Sequence, residues 1–365
     1  MPDNPSTVWC LLGKKAGDNT QVRALATALG GLMDVVIEEK HIVARPWELL
    51  THLALKVTVA GIDSAESSPL AAPWPDLVIT AGRRNEPVAR WIQQQAGGTT
   101  RLVHLGRPWA PLDCWDLIVT TPQYFLPQQA NILHNTLPLH SVQPEQRAAA
   151  AAHWQPRWQH LPRPWIAVLV GGDSGRYVLT SGKGARLGVL ASQLAGASGG
   201  SLLVTDSPRT PADAASALQA HVAAPHFMHR CAQAHDNPYQ GMLALADVFI
   251  VTGESMSMLA EAADTGRGLF IFDPGDGATP WWQLPHAWRY KPLSFRAAMA
   301  FGPQRMRRDI GRIQGALVAS GRARWLEEKS VLHDWEAAPM ASAGNDAAAE
   351  LARSAAALRQ LLTQR

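Results

Sequence analysis

The chain has 365 residues, 47% of them hydrophobic, with 33 Lys and Arg against 30 Asp and Glu, a formal charge of +3. That content supports one large core or two of ordinary domain size and excludes a disordered chain, and so small a charge for the length gives no electrostatic case for nucleic acid as a partner. Three scattered cysteines, Cys10, Cys114 and Cys231, exclude a disulfide framework, no basic start leads into a long apolar stretch, and no apolar run approaches the roughly 18–20 residues a bilayer requires, so a cytoplasmic protein is expected.

Short runs rich in Val, Ile and Leu alternate with longer amphipathic stretches, the pattern of an α/β fold with parallel sheets covered by helices. Strands are expected at residues 8–12, 33–37, 76–80, 101–105 and 116–120, with helices at 20–30, 46–59 and 85–95. Residues 1–145 therefore read as one Rossmann-like lobe. An Ala-rich piece and a Pro-, Trp- and Arg-rich piece follow, and residues 146–164 read as a linker. A second series, with strands at 165–170, 201–205, 226–229, 247–252 and 269–272, makes a second Rossmann-like lobe over 165–335. Residues 304–325 carry Arg305, Arg307, Arg308, Arg312, Arg322 and Arg324 on an expected helix. This reads as a solvated face, with contact to an anionic membrane surface or an anionic acceptor as the alternative. Residues 336–365 form a tail whose helix, at 346–362, is expected to pack on the body.

The loops that follow the strands carry the chemistry. In the first lobe, Gly13 to Gln21 (GKKAGDNTQ) is a glycine-bracketed turn into a helix; Gly17, Asn19 and Gln21 are cleft candidates, and Asp18 is the candidate base for deprotonating a hydroxyl acceptor. Asp18, Asn19 or Thr20 as a plain helix cap is the competing reading. Arg83, in the loop AGRRNE, is placed to meet an acceptor's anionic group or water. In the second lobe, Gly171, Gly172, Ser174 and Gly175 lie in a glycine loop directly after a strand, where backbone N–H groups can approach an anion closely. Ser207, Arg209 and Thr210 follow the next strand, with Thr210 and Pro211 suited to starting a helix and Arg209 to neutralising a diphosphate. Asn237 and Tyr239 precede a short helix and are read as a turn or as a closure over a base or sugar.

The strongest element is 247–261, a buried strand running through Gly253 into a helix that carries Ser255, Ser257, Met258 and Glu261. Helix-terminal amides and hydroxyls suit phosphate oxygens, and Glu261 can reach a ribose. The Gly182-Lys183-Gly184 run lacks both the Walker pattern and the dinucleotide spacing. The histidines at 221, 226, 229 and 235 match no zinc-finger spacing, and no Asp-x-Asp pair occurs, so no metal site is expected.

Six motifs in this order, GKKAGDNTQ, PDLVITAGRRN, LVGGDSGRY, SPRTP, NPY and VTGESMSMLAEAADTG, resemble the bacterial Elm-like family, which shares its name with a plant mitochondrial-fission factor. Members of that family look like GT-B glycosyltransferases of the MurG type, two Rossmann-like lobes facing a cleft with the nucleotide sugar held by the second. The resemblance implies Gly171, Gly172, Ser174 and Gly175 on phosphate, Ser255 and Ser257 on the diphosphate, and Glu261 on the ribose. The chain departs from that pattern at Glu254, where aspartate is common, at Gly268, where proline is common, and in the first glycine loop, where a histidine is replaced by Asp18 and Asn19. The implied function is metal-independent transfer of a sugar from a nucleotide diphosphate sugar to a hydroxyl acceptor, such as an envelope glycan or lipid, with no cofactor and peripheral contact at the cytoplasmic membrane face. A nucleotide-sugar epimerase of the same fold and a non-catalytic, membrane-associated interaction protein are the alternatives.

Overall fold

The computed structural model describes residues 5–45, 57–141, 144–175, 177–232, 236–275, 297, 299–327 and 346–364. The chain divides into two compact units, Met1–Ser141 with Pro303–Asp309 and Asp346–Arg365, and Val142–Gly302 with Ile310–Asn345. Each is built on a six-stranded sheet whose neighbouring strands all pair in parallel.

The first sheet comprises β1 (Ser6–Leu12), β2 (Val35–His41), β3 (Leu77–Ala81), β4 (Arg101–Leu105), β5 (Leu117–Thr120) and β6 (Ile132–His134), in the order β2-β1-β3-β4-β5-β6. Strand β3, LVITA, is buried at every position, as a central parallel strand covered on both faces must be. On one face Val22, Leu25 and Leu29 of α1 (Ala16–Gly30) pack with Val8, Ile79 and Val103. On the other, Val88, Ala89 and Ile92 of α2 (Glu86–Gln95) pack with Trp9 and Trp115. The expected strand at 33–37 begins and ends later, at Val35–His41. As an edge strand, β2 exposes Glu38, Glu39 and Lys40 to varying degrees, so its end lacks the apolar run that marks a central strand. Residues 46–56 of the helix expected at 46–59 lie outside the described residues.

The second unit opens with α3 (Pro144–Trp158), a helix across most of the segment 146–164 expected to join the two lobes. Trp154 and Trp158 are buried and stacked, ring centroids 5.2 Å apart, and α3 packs on α6 (Tyr239–Leu245) at Gly241, where a Cβ would lie 2.4 Å from the Trp154 ring. The second sheet comprises β7 (Trp165–Leu169), β8 (Ser201–Thr205), β9 (His226–His229), β10 (Val248–Thr252), β11 (Gly268–Phe272) and β12 (Arg324–Trp325), in the order β12-β11-β10-β7-β8-β9. Helices α4 (Ser181–Ser198), α5 (Ala212–Ala220), α7 (Met256–Asp264) and α8 (Gly311–Ala319) complete it.

Gly184 and Gly188, which fit no nucleotide motif, have a packing role. A Cβ at Gly184 would stand 2.2 Å from the Ala214 carbonyl oxygen and one at Gly188 2.6 Å from that of Leu218, so the two glycines, one helical turn apart, let α4 and α5 approach backbone to backbone. Gly184→Ala is expected to destabilise the second unit by about 1–3 kcal/mol, although alanine is the better helix former by about 1 kcal/mol. Urea unfolding checks this, and an unchanged midpoint contradicts it.

The arginine-rich stretch 304–325 is not one helix. It forms a 3-10 turn (Gln304–Met306), then α8, then β12, with a proline on the amino side of the turn and Gly321 at φ +72° between α8 and β12. Arg305, Arg307 and Arg308 belong to the first unit, and Arg312, Arg322 and Arg324 to the second. The terminal helix α9 (Asp346–Thr363) packs on α1 through Ala355, Leu358 and Leu362, and Arg353 donates to the His134 carbonyl at 2.8 Å. Among the described residues no helix is long and apolar enough to cross a membrane.

Candidate functional site

In the second sheet the chain runs from β7 through β8 to β9 on one side and from β10 through β11 to β12 on the other. The direction reverses between β7 and β10, the place where open parallel sheets form a ligand crevice beyond the carboxyl ends of their strands. The loops leaving β10, β7 and β8 are therefore neighbours, and they contain the glycine loop, the Arg209 loop and the start of α7.

Hydrogen bonds bind the three loops together. The Gly171 amide donates to Thr252 Oγ1 at 2.8 Å and the Gly172 amide to Glu254 Oε1 at 2.6 Å. Ser207 Oγ donates to the Gly171 carbonyl at 2.5 Å, and Thr210 Oγ1 donates to the same oxygen. Arg209 Nη1 donates to the Asp173 carbonyl at 3.2 Å, while the Asp173 amide returns a bond to the Arg209 carbonyl at 3.3 Å. Asp173 Oδ1 accepts from the Leu179 amide at 2.9 Å, closing the loop on its far side.

These bonds change the roles expected from sequence. The amides of Gly171 and Gly172, expected to face a phosphate, are engaged by Thr252 and Glu254. The two glycines are needed for close approach instead: a Cβ would stand 1.9 Å from Glu254 Oε1 at Gly171 and 2.2 Å from the Arg209 carbonyl oxygen at Gly172. Ser174 and Tyr177 exchange backbone bonds of 3.0 Å, closing the turn that contains Gly175 at φ +59°. Thr210 does not cap α5: the capping position falls on Pro211, and the Thr210 hydroxyl instead accepts from the Ser207 amide at 3.0 Å. Ser255 stands at the capping position of α7 but makes no side-chain capping bond. The first amides of α7, at Met256, Ser257 and Met258, therefore lack a capping side chain at the positive end of the helix. Gly253, at the turn into that helix, has its carbonyl held by Gln314 Nε2 at 2.6 Å.

Sequence reasoning missed Glu254 except as a departure from a pattern. Its side chain is buried, and burial raises its pKa, opposed by the Gly172 amide and by the field of Arg209. The field of the Arg209 guanidinium thus reaches a buried acid where the three loops meet. Its signal was the juxtaposition of an acid with two glycine turns in one crevice, which no single motif contains.

Glu261 lies in the second turn of α7 and Tyr239 at the start of α6. Burial first, and then the facing Glu261 carboxylate, hold the Tyr239 phenol well above the usual tyrosine value. Sequence separated these residues into two roles, whereas the fold brings them together as one polar pair. Asn237 Oδ1 accepts from the Tyr239 amide at 3.0 Å, so its side chain serves the turn into α6.

In the first unit the loop after β1 is held internally. Asn19 clamps Gly13, accepting from its amide at 3.0 Å and donating to its carbonyl at 2.8 Å, and Gln21 Nε2 donates to the Gly17 carbonyl at 3.3 Å. Asp18 is left at the surface of the loop, 3.8 Å from Lys15 Nζ. It lies against Gly82, φ +74°, where a Cβ would stand 2.9 Å from Asp18 Oδ2. Arg83, next in chain, has its guanidinium 4.9 Å from the Trp109 ring centroid. Asp18 and Arg83 thus flank one glycine at the carboxyl end of the first sheet.

Comparison with solved structures places the fold. Over 98% of this chain and all of that one, it superposes on a UDP-GlcNAc 2-epimerase from Neisseria meningitidis bound to UDP-GlcNAc, with a TM-score of 0.56 and 10% identity. A glycosyltransferase from Rickettsia africae gives a TM-score of 0.50 at 11% identity, over 99% of this chain and 100% of that one. The two parallel six-stranded sheets and these likenesses give the α/β, GT-B class of fold. In sequence the chain is 25% identical over 244 residues to mitochondrial fission protein ELM1 of Arabidopsis thaliana; the match covers 60% of this chain and just over half, 56%, of the plant protein. The sequence pattern of the family described as mitochondrial fission ELM1 matches residues 16–355. With that match over most of its length, the chain belongs to the mitochondrial fission ELM1 family.

Proposed function

We propose that the protein is a glycosyltransferase that takes its sugar from a nucleotide diphosphate sugar and passes it to a hydroxyl acceptor without a metal ion. The observation that carries this reading is the union of the loops after β7, β8 and β10 at the switch point of the second sheet, with Arg209 and the uncapped amino end of α7 in the same place. In the proposed complex the diphosphate meets Arg209, Ser207, Ser255 and Ser257, and Glu261, which faces Tyr239, accepts from the ribose hydroxyls. Fixed donors of this kind stabilise a leaving diphosphate as charge develops on it. The acceptor oxygen bonds to the anomeric carbon as the bond from that carbon to the β-phosphate oxygen breaks, and the acceptor proton passes to a base, for which Asp18 is the candidate.

A thermal-shift and calorimetric series with UDP, GDP, CDP and dTDP and their sugars tests this. One nucleotide is expected to bind, with affinity falling about tenfold or more in Arg209→Ala, since a hydrogen bond to a charged group contributes about 1.5–3 kcal/mol. Glu261→Ala is expected to weaken the nucleotide but not inorganic pyrophosphate. Failure of all four nucleotides to bind overturns the proposal. Because the same fold is found in a 2-epimerase, products decide the chemistry: a glycoside and free nucleotide mark transfer, and an isomeric nucleotide sugar marks epimerisation. Binding with no product over a broad acceptor panel marks an interaction protein.

A further inference from the structure

The crevice of the second sheet contains an acid that the transfer chemistry does not use. Glu254 stands between β10 and α7, where the loops after β7, β8 and β10 meet, and is 3% exposed. Its Oε1 accepts from the Gly172 amide at 2.6 Å and from Thr252 Oγ1 at 3.1 Å, and Thr252 Oγ1 in turn accepts from the Gly171 amide at 2.8 Å. One carboxyl oxygen thus joins the turn into α7 to both glycines of the loop after β7. The other oxygen, Oε2, is also buried and has no hydrogen-bond partner among the described residues.

That uneven division decides the charge state. A buried carboxylate spreads its charge over both oxygens and is stable only where donors reach both. Here both side-chain bonds fall on Oε1, so the form that fits is the neutral acid with its proton on Oε2. Burial raises the pKa of Glu254, opposed first by the Gly172 amide, then by the field of Arg209, and then by its own amide and the Thr252 hydroxyl.

Arg209, on the loop after β8, is the charged group among the described residues whose field reaches this carboxyl. Thr252 of β10, the two glycine amides and Gln314 of α8, which holds the neighbouring Gly253 carbonyl at 2.6 Å, are uncharged. Asp173, the acid of the glycine loop, accepts from the Leu179 amide and meets Arg209 through its backbone. A diphosphate that meets Arg209 therefore brings negative charge to the guanidinium that Glu254 already feels. Like charges in one crevice of low dielectric oppose each other, so an ionised Glu254 disfavours the diphosphate, and a bound diphosphate holds the proton on Glu254. The two effects are one coupling seen from either side.

We propose that Glu254 is a positioning residue that joins the turn into α7 to the glycine loop as a neutral acid, and that its ionisation weakens the hold of the crevice on a diphosphate, so that nucleotide-sugar affinity is set by pH. The diphosphate in this coupling rests on the transferase reading; the neutral state of Glu254 does not. Affinity is full while Glu254 keeps its proton and falls as pH rises above the usual carboxyl range.

The experiment titrates the full chain with UDP-glucose, GDP-glucose, CDP-glucose and dTDP-glucose in a calorimeter, from about pH 5 to about pH 9, a range that covers a carboxyl raised by burial. The esterified diphosphates of these probes keep their charge throughout. The probe that binds is expected to do so at least tenfold more weakly at the upper end than at the lower. Where Glu254 is ionised before binding, complex formation is expected to take up a proton, read as a heat that differs between two buffers of unlike ionisation enthalpy. Glu254→Gln keeps an oxygen for the Gly172 and Thr252 donors and cannot ionise, so it is expected to lose both the pH dependence and the proton uptake. The buffer comparison needs only the wild-type chain and is decisive if the variant fails to fold. Binding of equal strength across the series, the same profile in wild type and Glu254→Gln, or a heat that does not depend on the buffer overturns the link to Glu254 and leaves the donor site standing. No binding of any of the four probes at any pH overturns the donor reading, and the link with it.

Discussion

Gly172→Ala is expected to cost the second unit about 3 kcal/mol or more and, on the transferase proposal, to abolish nucleotide binding. The alanine Cβ would stand 2.2 Å from the Arg209 carbonyl oxygen, 2.3 Å from its carbon and 2.6 Å from the Thr210 amide nitrogen. All three are backbone atoms, so no side chain can rotate away, and relief requires the β8 loop to move off the β7 loop. That movement breaks the reciprocal bonds between Asp173 and Arg209 and withdraws the guanidinium from the Asp173 carbonyl. Overpacking of this kind costs about 1–3 kcal/mol where neighbours can shift, and more where they are backbone. Gly171→Ala provides the control. Its nearest atom, 1.9 Å away, is the end of the Glu254 side chain, which can rotate, so a smaller loss is expected, paid for in the Gly172–Glu254 bond. Urea unfolding measures the first effect and calorimetry the second; equal midpoints for wild type and Gly172→Ala would contradict the argument.

The same contacts explain what was legible in the sequence. Central strands such as β3 and β7 stand out because they are apolar at every position, and loops that follow them can be placed at the carboxyl end of a sheet without coordinates. The set Gly171, Gly172, Ser207, Arg209, Thr210 and Ser255 was legible for that reason. Individual atomic roles were not, because they depend on partners from other loops. Nothing local to Gly172 reveals that Glu254, 82 positions away, takes its amide. The Ala-rich piece at the junction reads as helical from its composition, but nothing local shows that Trp154 of this helix packs at Gly241. The contacts of Arg305 with the Trp109 ring and of Arg308 with the Tyr124 ring were hidden for a related reason. The partners are some 200 positions apart in chain, and only the return of 303–309 to the first unit joins them.

Stability of the first unit, measured against that of Glu86→Gln, is expected to fall as pH rises from about 4.5 to about 7, and the cause is one buried carboxyl. Glu86 opens α2 with its side chain almost wholly removed from solvent. Burial pushes its pKa from 4.5 up to about 7, against the opposing pull of the Ala110 and Trp109 amides and of Arg90 and Arg83. His104 stands 3.8 Å away but gives no countercharge, because burial pushes its own pKa down to about 3. The folded state therefore holds a proton on Glu86 that the unfolded chain has released once pH exceeds about 4.5. This contribution to stability is fully present below that pH and is lost as pH rises through about 7. A shift of this size corresponds to about 3 kcal/mol. Glu86→Gln keeps an acceptor oxygen for the Trp109 and Ala110 amides and never ionises, so it lacks this loss and keeps only the opposite contribution of buried His104, which grows as pH rises towards 6.5. Glu86→Ala is expected to lose stability at every pH, because it strips both amides of their partner, and to loosen the indole on which Arg83 and Arg305 rest. Chemical unfolding at a series of pH values separates the three chains, and parallel profiles for wild type and Glu86→Gln would show that this carboxyl does not carry the effect.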